Sequence, residues 1–160
     1  MHKTRIDLPE SKRKPIVKLL NERLADLIDL GLQIKQAHWN VKGPNFIALH
    51  KLFDEFAGEV AEHVDTTAER VTSLGGTAEG TLAAVSKRTS LPPYSLTIKE
   101  GRAHVDALAT VIAAVAKGAR AAIDESGALG DADTADLFTA LSRDLDKQLW
   151  FLEAHLQADA

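Results

Sequence analysis

A chain of 160 residues has room for one domain and a single core. Its net charge of −4 argues against general nucleic-acid binding, and the absence of cysteine excludes disulfides, zinc–thiolate sites and thiol catalysis. The longest apolar run, Ala107 to Ala116, falls far short of the ~20 residues of a membrane helix, so no membrane partner is expected. The N-terminus has no apolar run either and is no secretory signal, which makes a cytoplasmic location the expectation.

Apolar residues make up 45% of the chain and aromatics only 5%, with alanine and leucine dominant, a composition that favours helix over sheet. Residues 1–14 are polar and contain Lys3, Arg5, Lys12, Arg13 and Lys14 against Asp7 and Glu10. They are expected to form a basic tail, extended or loosely docked, ahead of one domain over 15–160. Pro15 suits the first turn of a helix. From there a helical period runs through Ile16, Leu20, Leu24, Leu27, Gln33 and Ile34 to about Val41, where Gly43-Pro44 ends it.

The second helix is expected from about Asn45 to Leu74, on the stripe Leu49, Phe53, Phe56, Val60, Val64, Val71 and Leu74, stopped by Gly75-Gly76. A long connection follows over 77–96, with a short helix near Thr81 to Lys87. The third helix covers about Thr97 to Ser126, with Val105, Leu108, Ile112, Val115 and Ala119 on one seam. Gly127 and Gly130 end it. The fourth starts near 131–134 and carries Leu137, Leu141, Leu145, Leu149, Leu152 and Leu156. Four long helices with one long middle connection predict an all-α, ferritin-like four-helix bundle with a short helix in that connection.

The polar face of the second helix carries the chemistry. With His50 at zero on a helical projection, Asp54 falls at about 40°, Asp65 at about 60° and Glu69 at about 100°. The apolar stripe lies roughly 130° from the middle of that arc, so these side chains turn away from the chain's own core. Asp54 and Asp65 are eleven residues apart, about 16 Å along the axis. Metal–ligand bonds to nitrogen and oxygen are only ~2 Å long, so one ion cannot reach both pairs on one helix.

A second copy removes the difficulty. His50 with Glu69 and Asp54 with Asp65 share one midpoint, between Glu59 and Val60. A twofold axis there, relating two antiparallel copies of the helix, brings both pairs together and creates two equivalent sites. Ala57, Gly58, Ala61 and Ala68 lie between the ligands and are small enough for close backbone approach. Imidazole plus carboxylate without sulfur suits iron, zinc or manganese, and mixed ligands with open positions favour redox-active iron over closed structural zinc. Such a site can hold one metal, or two bridged by a carboxylate.

The stretch KQAHWNVKGPNFIALHKLFDEF followed by DTTAERVTSLGG, together with the later DTADLFTALSRDLDKQLWFLEAHL, resembles the Dps family, the mini-ferritins named as DNA-binding proteins from starved cells. The likeness runs through nearly the whole chain from about Pro15. It implies a hollow dodecamer that oxidises Fe²⁺ with hydrogen peroxide or oxygen and stores the ferric mineral, protecting DNA from oxidative damage. It also implies that His38, His50 and Asp54 come from one subunit and Asp65 and Glu69 from its twofold partner. Zinc or another divalent ion can substitute for iron in such a site.

Further assignments rest on the same resemblance. Trp39 and Lys35 match positions beside the site. Trp39 reads either as a radical quencher or as a packed helix-end aromatic, and Lys35 as an ion-pair partner. Asp131, Asp133 and Asp136 read either as helix-capping acids or as the lining of an iron-entry pore, with Asp136 the leading pore candidate. His63, His104 and His155 fall off the array and are expected at the surface or an interface; His2 lies in the tail. The five basic tail residues are the candidate DNA contacts, multiplied by assembly. Asp7, Glu10 and Pro9 in the same stretch weigh against strong binding. The alternative function is a nucleoid-binding protein that protects DNA mainly through this tail.

Overall fold

The computed structural model describes residues 1–157. Five helices follow in order: α1 Glu10–Asn40, α2 Phe46–Ser73, α3 Leu82–Arg88, α4 Gly101–Ala128 and α5 Ala132–Leu156. The four long ones form two hairpins, α1 on α2 and α4 on α5. These meet through α1 against α4 and α2 against α5, while the short α3 sits on α1. This is the expected all-α ferritin-like bundle. An isolated bridge between Lys42 and Glu100 ties the α1–α2 turn to the start of α4. Since α2 ends at the opposite pole, the connection to α4 must travel the length of the bundle, and this makes it the long one.

Polar side chains on α1 hold that crossover. Asn21 Nδ2 donates to the Thr77 oxygen and its Oδ1 accepts from Glu79 N. Asp26 accepts from Ser90 N and Oγ, Asp29 accepts from Thr89 Oγ1, and Gln33 Nε2 donates to the Pro92 oxygen. Gln33 falls in register with the apolar stripe for this reason: it is buried, but against backbone rather than against other apolar groups. Burying a polar side chain without such partners costs a few kcal/mol, so α1 and the crossover are specified together.

The core is built from Leu24, Leu27, Phe53, Phe56, Leu108, Ile112, Phe138 and Leu145, all essentially inaccessible. Along α5 the buried row is Phe138, Leu141, Leu145 and Leu152, whereas Leu137, Leu149 and Leu156 are only half-buried. Both α2 and α4 end in the same six-residue cap. Gly75 takes φ +83° and Gly76 N donates to the Val71 oxygen; Gly130 takes φ +81° and Asp131 N donates to the Ser126 oxygen.

The N-terminus departs from expectation. α1 begins at Glu10, five residues before Pro15, which lies inside the helix at the cost of one backbone bond. Arg13 is buried, and its guanidinium donates to the Leu8 oxygen at 2.9 Å and the Leu74 oxygen at 2.7 Å. His2 N donates to the Gly75 oxygen at 2.7 Å. The first residues are thus docked on the end of α2.

Candidate metal-binding half-site

His38 lies in the last turn of α1 and His50 early in α2, across a turn where Gly43 takes φ +109°. The turn folds the two imidazoles onto each other, with ring centroids 3.9 Å apart and planes 21° off parallel. Their contacts are reciprocal. His38 Nδ1 lies 2.7 Å from the His50 carbonyl oxygen, and His50 Nδ1 lies 2.9 Å from the His38 carbonyl oxygen. A carbonyl can only accept, so each Nδ1 carries the proton. In a neutral ring held this way Nε2 presents the lone pair, the form in which histidine binds metal.

Asp54 is one turn beyond His50, exposed, with Oδ1 3.9 Å from His38 Nε2. Lys35 Nζ donates to the same oxygen at 2.7 Å. That hydrogen bond holds the Asp54 carboxyl below its ordinary range, with desolvation opposing it. Lys35 Nζ also sits 5.7 Å from the ring centroid of Trp39, which is 64% exposed. Lys35 is therefore the expected ion-pair residue. Trp39 is not packed against its own chain.

Asp65 and Glu69 are both exposed on α2, beyond the reach of this cluster along the helix. Among the described residues no three histidine, aspartate or glutamate side chains of one chain close on a single point. His38 Nε2 and the Asp54 carboxylate neighbour each other, nitrogen and oxygen donors of the kind that borderline divalent ions take, without closing into a site among the described residues.

Beside Asp54 opens a groove of about 600 Å³ between α1 and α2. Its floor includes Ala57, Gly58 and Ala61 from α2, and its other wall Ile28, Gly31 and Leu32 from α1. Leu32 is 53% exposed, and a Cβ placed on Gly58 would meet nothing within 4 Å. The α1 half of this groove escaped the sequence-based expectation. Leu32 lies off the core stripe of α1, and that was the available signal.

The acids at the α4–α5 junction separate. Asp131 is the capping acid: it is buried, caps α5 by accepting from Thr134 N and Oγ1, and accepts from Arg70 Nη2 at 2.7 Å. Its carboxylate is consumed by these bonds. Asp133 is exposed, 3.8 Å from Arg70, and Asp136 is exposed. The Arg13 guanidinium donates to backbone carbonyls inside the fold. Lys14 pairs with Glu10 at 2.7 Å, while Lys3, Arg5 and Lys12 are exposed. His63 pairs with Asp144 at 2.9 Å and His155 is exposed, but His104 is buried rather than at the surface. Among the described residues no helix is long and apolar enough to cross a membrane.

The ferritin-like domain family matches residues 17–160. A DNA protection during starvation protein of Agrobacterium fabrum is 54% identical over 156 residues, spanning 98% of this chain and 96% of that one. Its counterpart in Mycolicibacterium smegmatis is 35% identical, over 94% and 82% of the two chains. Among solved structures, the tetragonal form of Mycobacterium smegmatis Dps superposes with a TM-score of 0.94 at 34% identity, over 99% of this chain and 96% of that one. DpsA14 from Streptomyces coelicolor gives 0.93 at 37% identity, over 98% and 92%.

Proposed function

Because the chain belongs to the Dps family of ferritin-like proteins, we propose that it oxidises Fe²⁺ at sites shared across a twofold dimer interface and stores the ferric product in a hollow oligomer. The observation that carries this is the reciprocal pair of histidine–carbonyl bonds, which leaves both Nε2 atoms free, that of His38 lying 3.9 Å from Asp54 Oδ1. Iron enters as substrate. His38, His50 and Asp54 of one chain would hold it together with Asp65 and Glu69 of the partner subunit. Three carboxylates favour Fe³⁺ over Fe²⁺ by charge, and the open positions admit hydrogen peroxide or oxygen. One or two irons fit the five ligands. The oligomer is proposed to be a dodecamer working in the cytoplasm, with Asp136 and Asp133 at a pore.

Anaerobic addition of Fe²⁺ followed by peroxide tests the activity. Ferric absorbance should rise in the native protein and be lost in His50→Ala combined with Asp65→Ala. Full oxidation by the double variant would exclude this site. In this account DNA is protected by removing iron and peroxide together. The alternative of a DNA-coating protein keeps only Lys3, Arg5 and Lys12 as exposed bases in residues 1–14 outside an ion pair or the fold interior, on a segment that is docked. Phosphate binding through the tail would be correspondingly weak and salt-sensitive.

A further inference from the structure

Tyr94 is the chain's sole tyrosine and sits in the crossover, half-buried against the core. Its hydroxyl lies 2.7 Å from Nδ1 of His104, and the rings are nearly parallel at 11° with centroids 6.1 Å apart. His104 is 1% exposed on α4. The backbone of Asn40, the last residue of α1 and two beyond His38, favours a proton on the His104 ring, although Nε2 has no well-formed hydrogen bond. In the tautomer with its proton at Nε2, the one the Asn40 backbone favours, Nδ1 accepts and Tyr94 donates.

The surroundings decide what such a pair can do. Burial pushes the Tyr94 phenol well above its ordinary pKa and pushes His104 below its own, so neither ionises by itself near neutrality. A phenol so placed can lose its proton only if an electron leaves at the same time, and a neutral imidazole at hydrogen-bond distance is the base that receives it. A purely structural tether would serve equally well with two apolar groups of the same shape.

We infer that Tyr94 and His104 form a proton-coupled electron donor, an oxidisable site that quenches one-electron oxidants arising on the protein during iron oxidation. This rests on the iron-oxidising function proposed above. The oxidant is an indolyl radical, left when a hydroxyl radical strikes a tryptophan. Tyr94 gives it one electron, the Oη–H bond breaks and an N–H bond forms at His104 Nδ1. The indolyl radical takes a proton from solvent and becomes indole. An electron from Fe²⁺, which becomes Fe³⁺, and the proton returned by His104 then restore the phenol.

Two arms test this on the assembled protein. In the first, without iron, flash oxidation by a ruthenium polypyridyl sensitiser with persulfate is followed by electron paramagnetic resonance. A tyrosyl signal is expected, forming more slowly in D₂O, lost in Tyr94→Phe and strongly reduced in His104→Asn. Absence of the signal, or formation in His104→Asn at the native rate, overturns the pair as a donor even if iron is oxidised normally. In the second arm, iron-loaded protein is mixed with peroxide and freeze-quenched. The same tyrosyl signal is expected, replaced in Tyr94→Phe by a longer-lived tryptophan signal, with the initial rate of iron oxidation unchanged. Normal iron oxidation with no tyrosyl signal overturns the quenching role. A positive first arm with no iron oxidation supports the donor pair and refutes the iron-oxidising function instead.

Discussion

Gly58 separates the stability of the chain from the stability of its twofold contact. It lies in the middle of α2, exposed, and a Cβ there meets nothing within 4 Å. Replacing it by leucine removes a helix penalty of about 0.5–1 kcal/mol, so the single bundle gains stability. The proposed antiparallel pairing centred between Glu59 and Val60 would set Gly58 of one copy against Ala61 of the other, where the added side chain would have no room. Overpacking costs about 1–3 kcal/mol per site, and the symmetry applies it twice, for about 2–6 kcal/mol per contact. At 1.4 kcal/mol per factor of ten, dimer affinity falls by about 30- to 10⁴-fold. Light scattering coupled to gel filtration should show Gly58→Leu as smaller species, with circular dichroism still helical and peroxide-driven iron oxidation lost. A variant that assembles and oxidises iron like the native protein would refute the close antiparallel contact, and with it the shared site.

Other perturbations probe separate parts of the structure. Mixing subunits of His50→Ala with subunits of Asp65→Ala, each inactive alone, should regenerate intact sites, since one site of every hybrid dimer is unaltered; random reassembly predicts recovery of roughly a quarter of the native iron oxidation, whereas no recovery would place all ligands within one chain. Lys35→Ala removes the hydrogen bond that holds the Asp54 carboxyl below its ordinary range. A depressed carboxyl favours the folded, ionised form above its ordinary pKa and loses that contribution as pH falls through the lower folded value. The acid limb of the iron-binding pH profile should therefore move to higher pH in Lys35→Ala. Arg70→Ala strands the buried Asp131 carboxylate with only its Thr134 bonds, and about 3–5 kcal/mol should be lost in thermal or denaturant unfolding. Arg13→Ala leaves the Leu8 and Leu74 carbonyls without their guanidinium donors, a cost of about 1–3 kcal/mol. Amide exchange should accelerate at His2 and gel mobility with plasmid DNA should fall further than with the native protein.

The helical periods placed the four long helices to within a few residues because an apolar stripe leaves no choice about which face is buried. Where a polar side chain does the burying, periodicity is blind. Pro15 read as a helix start, yet Arg13, two residues earlier, already spends its guanidinium on the Leu74 and Leu8 carbonyls and draws the helix back to Glu10. Asp131 read as a possible pore acid because its partner Arg70 lies on a different helix, a pairing no local pattern reveals. His104 misled in the same way, since its partner Tyr94 is in a segment without periodicity.

The outward face of α2 was legible for a different reason. A helix presents residues one turn apart on one side whatever the rest of the fold does, so the outward position of Asp54, Asp65 and Glu69 follows from spacing alone. What spacing could not supply is the protonation state of the imidazoles. Only the turn through Gly43, which sets His38 and His50 to donate into each other's backbone, leaves both Nε2 atoms free of those bonds. If the proposed shared site forms, a half-site prepared in this way would cost little to order, and the free energy of closing it would come from the partner chain's carboxylates. Assembly and iron binding should for that reason strengthen each other by the same factor.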